Sequence, residues 1–213
     1  MSFKRNGYGQ VEPNQLSAQK TGQIYASLPL DNDVKILQNG EFMYYDYAAN
    51  KVSADDSTGV NEPMLVFNEI KLYEPFWRTS YKDFAMIRVG DNYVTSKLAT
   101  EKYGDGSLTT GVNANPEHTE YPYRMDGIAP RLFKTNIGDL FTTNMVKELE
   151  GDANNYAVGN LLVPVKNAAT KTLQLEKFTA TAEVSKPTGM AWAVVKVYTM
   201  PDGQPGLKLQ RVQ

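Results

Sequence analysis

The sequence predicts an all-β fold, a β-barrel or sandwich-like domain with an extended N-terminal arm and a long loop-rich insertion. Short β-branched and aromatic runs, bounded by Gly, Asn, Asp and Pro, follow one another from residue 22 onward. Helical periodicity is nearly absent. With 213 residues, 41% of them hydrophobic and 11% aromatic, the chain can bury a core as one large β domain or two small ones.

The first twenty residues are predicted to form the arm (residues 1–20), ahead of a β-rich domain (21–213). They carry few apolar side chains without a repeating spacing, so they are either a disordered tail or an arm that orders on a partner. Extended at about 3.3 Å per residue, they reach on the order of 60 Å, far enough to cross onto a neighbouring subunit. Pairing with an exposed sheet edge would anchor them. The predicted contact residues are Phe3, Tyr8, Val11 and Leu16.

The clearest local prediction is a β-hairpin over residues 34–47. Asn39-Gly40 supplies the two residues with positive φ that a type I′ turn requires. A two-residue loop places Leu37 opposite Phe42 on the ladder.

Further strands and one helix follow from local patterns. Residues 64–73 alternate but slip in phase near Asn68-Glu69, which is typical of a β-bulge. A single helix is predicted at 143–151, with Thr143 as N-cap and Gly151 as C-cap. A Gly- and Pro-rich stretch at 103–130 belongs to the loop-rich insertion around 74–130. Additional strands are predicted at 84–89, 140–143, 156–165, 172–184, 191–200 and 207–212.

Composition excludes several classes of function. The net charge is −2 and no basic stripe is present, so direct binding to nucleic acid is not expected. Without cysteine there are no disulfides, thiolate metal sites or cysteine nucleophiles. The longest wholly apolar run, at 190–195, is too short for a membrane span of roughly 20 residues. These features predict a soluble protein without a Sec-type export signal or a membrane partner.

Motifs for catalysis or cofactor binding are not expected from the sequence. The lone histidine, His118, has no second His or Cys with which to build a zinc site, and no Gly-x-Ser-x-Gly elbow is present. Two Gly-x-Gly pairs lack the third glycine of a dinucleotide loop. Acidic pairs such as Asp31/Asp33 and Asp55-Asp56 could touch Ca²⁺ but are better explained as Asx turns. The sequence therefore predicts no catalytic, cofactor-binding or metal-binding residue.

An aromatic cluster gives a second set of contact residues: Tyr73, Phe76, Trp77 and Tyr81. Core or interface packing is the favoured interpretation. The alternatives are an aromatic platform for sugar rings, and a glycosidase that uses Glu69 or Glu74. A carbohydrate- or receptor-binding β module is therefore the competing hypothesis.

Several stretches resemble the auxiliary head proteins of tailed bacteriophages, the decoration or cement proteins of the capsid exterior. The resemblance covers residues 21–72 and 131–213. It rests on the Asn39-Gly40 hairpin and on TGQIYASLPL (21–30), IGDLFTTN (137–144), VVKVYTMPDG (194–203) and GLKLQRV (206–212).

The resemblance implies a non-enzymatic structural protein on the outside of the virion, made in the host cytoplasm. Such a protein binds at junctions between major capsid subunits and stabilises the head against the pressure of packaged DNA. The implied partners are the major capsid protein and either further copies of this chain or other auxiliary head proteins. Two linked contact regions would raise the effective concentration at each junction. Under the competing hypothesis, the resemblance implies a carbohydrate- or receptor-binding β module of a phage head fibre or tail.

Overall fold

In the computed structural model eleven of the thirteen described strands join into one curled antiparallel sheet, a half-barrel, so the predicted all-β class is confirmed. The structure describes residues 9–31, 33–34, 36–68, 86–88, 129–149, 155–181, 184–200 and 205–213. The strands are β1 (Val11–Gln15), β2 (Ile24–Tyr25), β3 (Ile36–Gln38), β4 (Phe42–Asp46), β5 (Lys51–Ser53), β6 (Met64–Val66), β7 (Met86–Arg88), β8 (Leu132–Phe133), β9 (Leu140–Thr143), β10 (Leu161–Asn167), β11 (Thr172–Lys177), β12 (Trp192–Thr199) and β13 (Pro205–Arg211).

The main sheet has eleven strands in the order β1-β9-β13-β12-β10-β11-β4-β6-β8-β2, with β5 attached to β4. Strands β3 and β7 form a separate two-stranded ladder. The last strand, β13, lies between β9 and β12, so the end of the chain is held inside the sheet. The predicted strands at 140–143, 191–200 and 207–212 correspond to β9, β12 and β13.

Three aromatic rings from distant parts of the chain form the centre of the core. Trp192, Phe42 and Phe141 are each 0% exposed and come from β12, β4 and β9. Their ring centroids lie 4.8 to 6.3 Å apart, and the Phe141–Trp192 pair is T-shaped. Aromatic pairs in this geometry contribute about 0.5 to 1.5 kcal/mol beyond their buried area. This cluster therefore brings together β4, β9 and β12, which are not neighbours in the sheet.

The predicted hairpin at Asn39-Gly40 is wrong. Positive φ occurs at Gly40 (93°) and not at Asn39, as in a type II turn and not in a type I′ turn. Strand β3 pairs with β7, while β4 pairs with β5, β6 and β11, so Leu37 does not face Phe42. Gly40 is nevertheless required, because a Cβ atom there would lie 2.4 Å from Thr143 Oγ1.

Residues 9–20 of the predicted arm pack against the rest of the fold. Strand β1 pairs with β9 at the sheet edge, with Val11 opposite Thr143. Leu16 is 1% exposed and Ala18 is 0% exposed, both in the main core. The remainder of the arm, residues 1–8, lies outside the described residues.

A short helix, α1 (Ser17–Thr21), follows β1 and was not predicted. Its first turn is capped from far along the chain, because Asp139 accepts hydrogen bonds from Ser17 N (3.0 Å) and Ser17 Oγ (2.9 Å). It ends at Gly22, which has a φ of 71°.

The predicted helix at 143–151 is also wrong. Thr143 ends β9, and Val146 forms a parallel bridge to Leu175. Strand β6 ends at Val66, so the bulge predicted near Asn68-Glu69 falls after the strand, and Glu69 itself lies outside the described residues. Of the insertion around 74–130, the structure describes residues 86–88 and 129–130.

Candidate partner-binding groove

A groove of about 420 Å³ opens on the surface beside the core. Its lining presents polar and apolar surface in similar amounts and includes three prolines, two aromatic rings and a methionine. We call this surface the proline groove, and its lining residues are Tyr44, Asn61, Glu62, Pro63, Val163, Pro164, Phe178, Val184, Pro187, Thr188, Gly189 and Met190.

The groove exists because β10 separates from β12. Strand β10 pairs with β11 from Leu162 to Asn167, but it pairs with β12 only through Leu161 and Leu162. The described part of segment 178–190 lines the gap that opens beyond Leu162. On the opposite wall, Tyr44 lies two residues after Phe42 and so faces the same side of β4.

Pro164 lies where its missing N–H matters least. Phe178 N donates to Leu161 O, so odd-numbered residues of β10 direct their backbone polar groups toward β11. Val194 N donates to Asn160 O, so even-numbered residues direct theirs toward β12 and, further along, toward the gap. Pro164 therefore removes a donor from the open edge of β10, which weakens strand addition at this edge. The groove offers side chains more than backbone to a partner.

Two polar side chains of the groove, Glu62 and Asn61, are bonded to other residues of the fold. Glu62 Oε1 accepts a hydrogen bond and ion pair from Arg211 at 2.8 Å. Arg211 is 5% exposed and also donates to Thr135 Oγ1 (3.2 Å) and to Gln213 O (3.0 Å). Asn61 Nδ2 donates to Asp56 Oδ1 at 2.6 Å. These bonds fix the groove wall that residues 61–63 form.

Two aspartates organise the loop that leads into this wall. Asp56 accepts hydrogen bonds from Thr58 N at 3.1 Å and from Asn61 N at 2.7 Å. Asp46 accepts from Ala49 N at 2.9 Å and from Ser57 N at 2.8 Å. The bond to Thr58 confirms the predicted Asx turn at Asp56, and Asp31 makes the same turn with Asp33 N at 3.2 Å.

Two aspartates act on the Tyr44 side of the groove. Burial raises the pKa of the Tyr44 phenol, and the charges of Asp56 and Asp55 raise it further. Burial also opposes ionisation of Asp56, but the hydrogen bonds from Asn61 and Thr58 outweigh it and lower the pKa of that carboxyl to about 2. Asp56 is therefore charged at neutral pH, and Lys166 partly offsets Asp55 through a contact of 2.6 Å.

This arrangement predicts an acid-sensitive loop. Because the pKa of Asp56 is lowered to about 2 in the folded chain, from the ordinary aspartate value of about 3.9, the stability that Asp56 contributes is present above about pH 4 and is lost as the pH falls toward 2. We expect Asp56→Asn to lower the melting temperature at pH 7 and the deficit to shrink between pH 4 and pH 2. Asp33→Asn, at an exposed turn, is the control. A deficit that stays constant across this range would contradict the prediction.

The predicted contact residues lie elsewhere or outside the described part of the chain. Leu16 is buried in the core and presents no free surface, whereas Val11 is half-buried and packs against that core. The remaining predicted contacts lie outside the described residues: Phe3, Tyr8, Tyr73, Phe76, Trp77 and Tyr81. Sequence reasoning missed the proline groove. Its one sequence signal is a proline inside a run that otherwise reads as a strand, at Pro164.

The chain matches no protein-family model, no curated protein and no solved structure. Among the described residues, no group of three or more His, Cys, Asp or Glu side chains could hold a metal ion. No helix among the described residues is long and apolar enough to cross a membrane.

Proposed function

We propose that this chain is a non-enzymatic virion structural protein that binds the outside of a phage capsid and bridges major capsid subunits, stabilising the DNA-filled head. The resemblance to auxiliary head proteins suggests this role. The proline groove supports it, because it is a concave surface with prolines and aromatic rings in its lining, of the kind that a protein partner can fill. Capsid docking would bury this surface.

The groove favours binding over acid-base chemistry. Its carboxylate, Glu62, is held by Arg211, and its amide, Asn61, is held by Asp56. Apolar contacts and prolines dominate the remaining lining. Such a surface fits an extended protein segment, because proline- and aromatic-lined grooves exclude water along a chain without demanding a particular backbone pairing.

Capsid pelleting tests the proposal with a matched pair of variants. Val184 lines the groove and is 41% exposed, while Val158 is 68% exposed in a turn and is not among the lining residues. We expect Val184→Lys to weaken binding to expanded capsids that lack this protein by tenfold or more, since a buried unpaired ammonium is costly at an interface. Val158→Lys is expected to bind like the parent chain.

Electron cryomicroscopy of the pellet supplies the second measurement. Stoichiometric density that bridges capsid subunits, with the groove against a capsid segment, is the expected result. Parent chain that stays in the supernatant would overturn the capsid role. Equal binding by Val184→Lys and the parent chain would leave capsid binding intact but move the contact away from the groove.

An exposed tyrosine, Tyr47, favours a carbohydrate- or receptor-binding module as the second candidate function. Tyr47 is 68% exposed and packs edge-on against Tyr45, with ring centroids 5.0 Å apart. Tyr45 in turn lies 5.2 Å from Tyr25. An exposed ring on an aromatic stack suits a sugar face. If the chain does not bind capsids, we expect glycan binding that Tyr47→Ala abolishes.

A further inference from the structure

Strand β1 is attached to the fold mainly through polar contacts. It lies at the edge of the described sheet, where β9 is its one neighbour. None of its five residues is fully buried, and half-buried Val11 provides its contact with the core. The ladder shifts register between Glu12 and Gln15, and Pro13 inside this stretch has no N–H to donate. Strand β1 is therefore weakly packed.

Side-chain hydrogen bonds supply much of the remaining attachment. They run from Gly9 N to Gln38 Oε1 (2.7 Å), from Gln10 N to Asn144 Oδ1 (2.7 Å), from Thr143 Oγ1 to Gln10 O (2.6 Å) and from Thr142 Oγ1 to Asn14 Oδ1 (2.7 Å). When the segment detaches, water replaces these partners, so the net contribution of each bond to stability is small. Detachment also returns the conformational entropy of every residue that was held. We call residues 9–15 the strap.

The firmly anchored part of the chain begins directly after the strap. Leu16 is 1% exposed and Ala18 is 0% exposed, and both belong to the main core. Between them, the backbone and hydroxyl of Ser17 donate to Asp139. A segment with little buried apolar surface opens more readily than one that is packed in the core. Leu16 therefore marks the hinge at which an opening strap would stop.

One hydrogen bond holds the strap from the far side of the sheet. The Tyr198 hydroxyl on β12 donates to Glu12 Oε2 on β1. Strands β9 and β13 lie between β1 and β12, so the bond joins strands about 14 Å apart at about 4.8 Å per strand. Both side chains lie on the outer face, because Glu12 pairs with Thr142 next to buried Phe141, and Tyr198 follows the inward-facing Val197.

We propose that the strap opens as a unit at Leu16 while the rest of the sheet stays folded, and that the hydrogen bond from Tyr198 to Glu12 is the clasp that holds it closed. An open strap leaves the edge of β9 unpaired, and an unpaired edge can accept another strand. The clasp therefore controls access to this edge. The proposal does not depend on the capsid role or on the proline groove.

Hydrogen exchange of the full chain, read by mass spectrometry, tests the strap and the clasp together. We expect the strap amides to be protected about a hundredfold less than those of β13, which is paired on both sides. Tyr198→Phe should speed exchange of the strap by about tenfold, because a bond to a carboxylate is lost, and leave β13 unchanged. Tyr47→Phe, which removes a hydroxyl from a ring that is 68% exposed, is the matched control.

A double-mutant cycle identifies the clasp. Glu12→Ala should speed exchange of the strap as Tyr198→Phe does, and the double variant should be no faster than the faster single variant. Additive effects, or an effect of Tyr198→Phe no larger than that of Tyr47→Phe, would overturn the clasp. Equal protection of the strap and β13 in the parent chain would show that β1 opens only with the whole fold, which overturns the strap.

Discussion

Replacing Leu16 with alanine is expected to lower the free energy of unfolding by about 2 to 5 kcal/mol. Leu16 is 1% exposed and belongs to the main core, so the substitution leaves a cavity that the sheet cannot fill. Deletion of residues 1–20 is expected to prevent folding altogether. It removes strand β1, Leu16 and Ala18, and it takes Ser17 away from the Asp139 carboxylate.

Denaturant unfolding measures the free-energy change caused by Leu16→Ala. For the chain without residues 1–20, the expected result is that no cooperative unfolding transition is seen. Lys20→Ala, at an exposed position of α1, is the matched control and should change stability by no more than about 0.5 kcal/mol. Deletion of residues 1–8 should leave a folded sheet, because β1 begins at Val11. If the chain without residues 1–20 unfolds with the parent's midpoint, the packing described for Leu16 is incorrect.

This result also decides how an N-terminal arm can be tested. Loss of capsid binding after deletion of residues 1–20 would report unfolding and not a lost arm contact. Deletion of residues 1–8 separates the two, since it keeps β1 and α1 intact.

The second large effect is expected at Trp192. Trp192→Ala should lower the free energy of unfolding by about 3 to 5 kcal/mol, because the ring is fully buried between Phe42 and Phe141. Trp192→Phe should cost far less, near zero. The indole Nε1 is buried and has no hydrogen-bond partner in the described structure, and an unsatisfied donor costs about 1 to 3 kcal/mol. Removing that donor offsets the smaller ring.

Chemical denaturation compares the free energies of unfolding of the two Trp192 variants directly. A phenylalanine variant as unstable as the alanine variant would show that the indole N–H has a partner, such as a buried water molecule. Far-ultraviolet circular dichroism of both variants checks that the sheet is retained before unfolding. The difference between the two variants isolates the N–H from the packing of the ring.

Local sequence patterns correctly predicted strands whose residues have a strong β preference of their own. Strands β9, β12 and β13 carry apolar and β-branched runs between turn residues, and they were predicted nearly to the residue. The Asn39-Gly40 turn failed because tertiary contacts override its local preference. Asn39 bonds to Asn68, and Gly40 N donates to Val66 O. Helix α1 was missed because its cap, Asp139, lies 122 residues away from Ser17.

The proline groove could not be predicted from the sequence for a related reason. Apart from Pro164, no side chain of the proline groove is unusual in its own stretch of sequence. The groove depends on where β10 stops pairing with β12, and that register is fixed only when Leu161 meets Ala193. Pro164 then falls on the open side of the strand, where its lack of a donor is harmless.

The Asn39-Gly40 turn has a further consequence for how the protein ages. Asparagine before glycine is prone to deamidation, in which the glycine nitrogen attacks the side-chain carbonyl carbon and ammonia leaves. Here Gly40 N–H is held by Val66 O at 3.0 Å, and Asn39 is 1% exposed with its amide bonded to Asn68 N at 2.8 Å and Asn68 O at 3.2 Å. The folded chain thus keeps this asparagine intact, and isoaspartate at position 39 marks molecules that have unfolded.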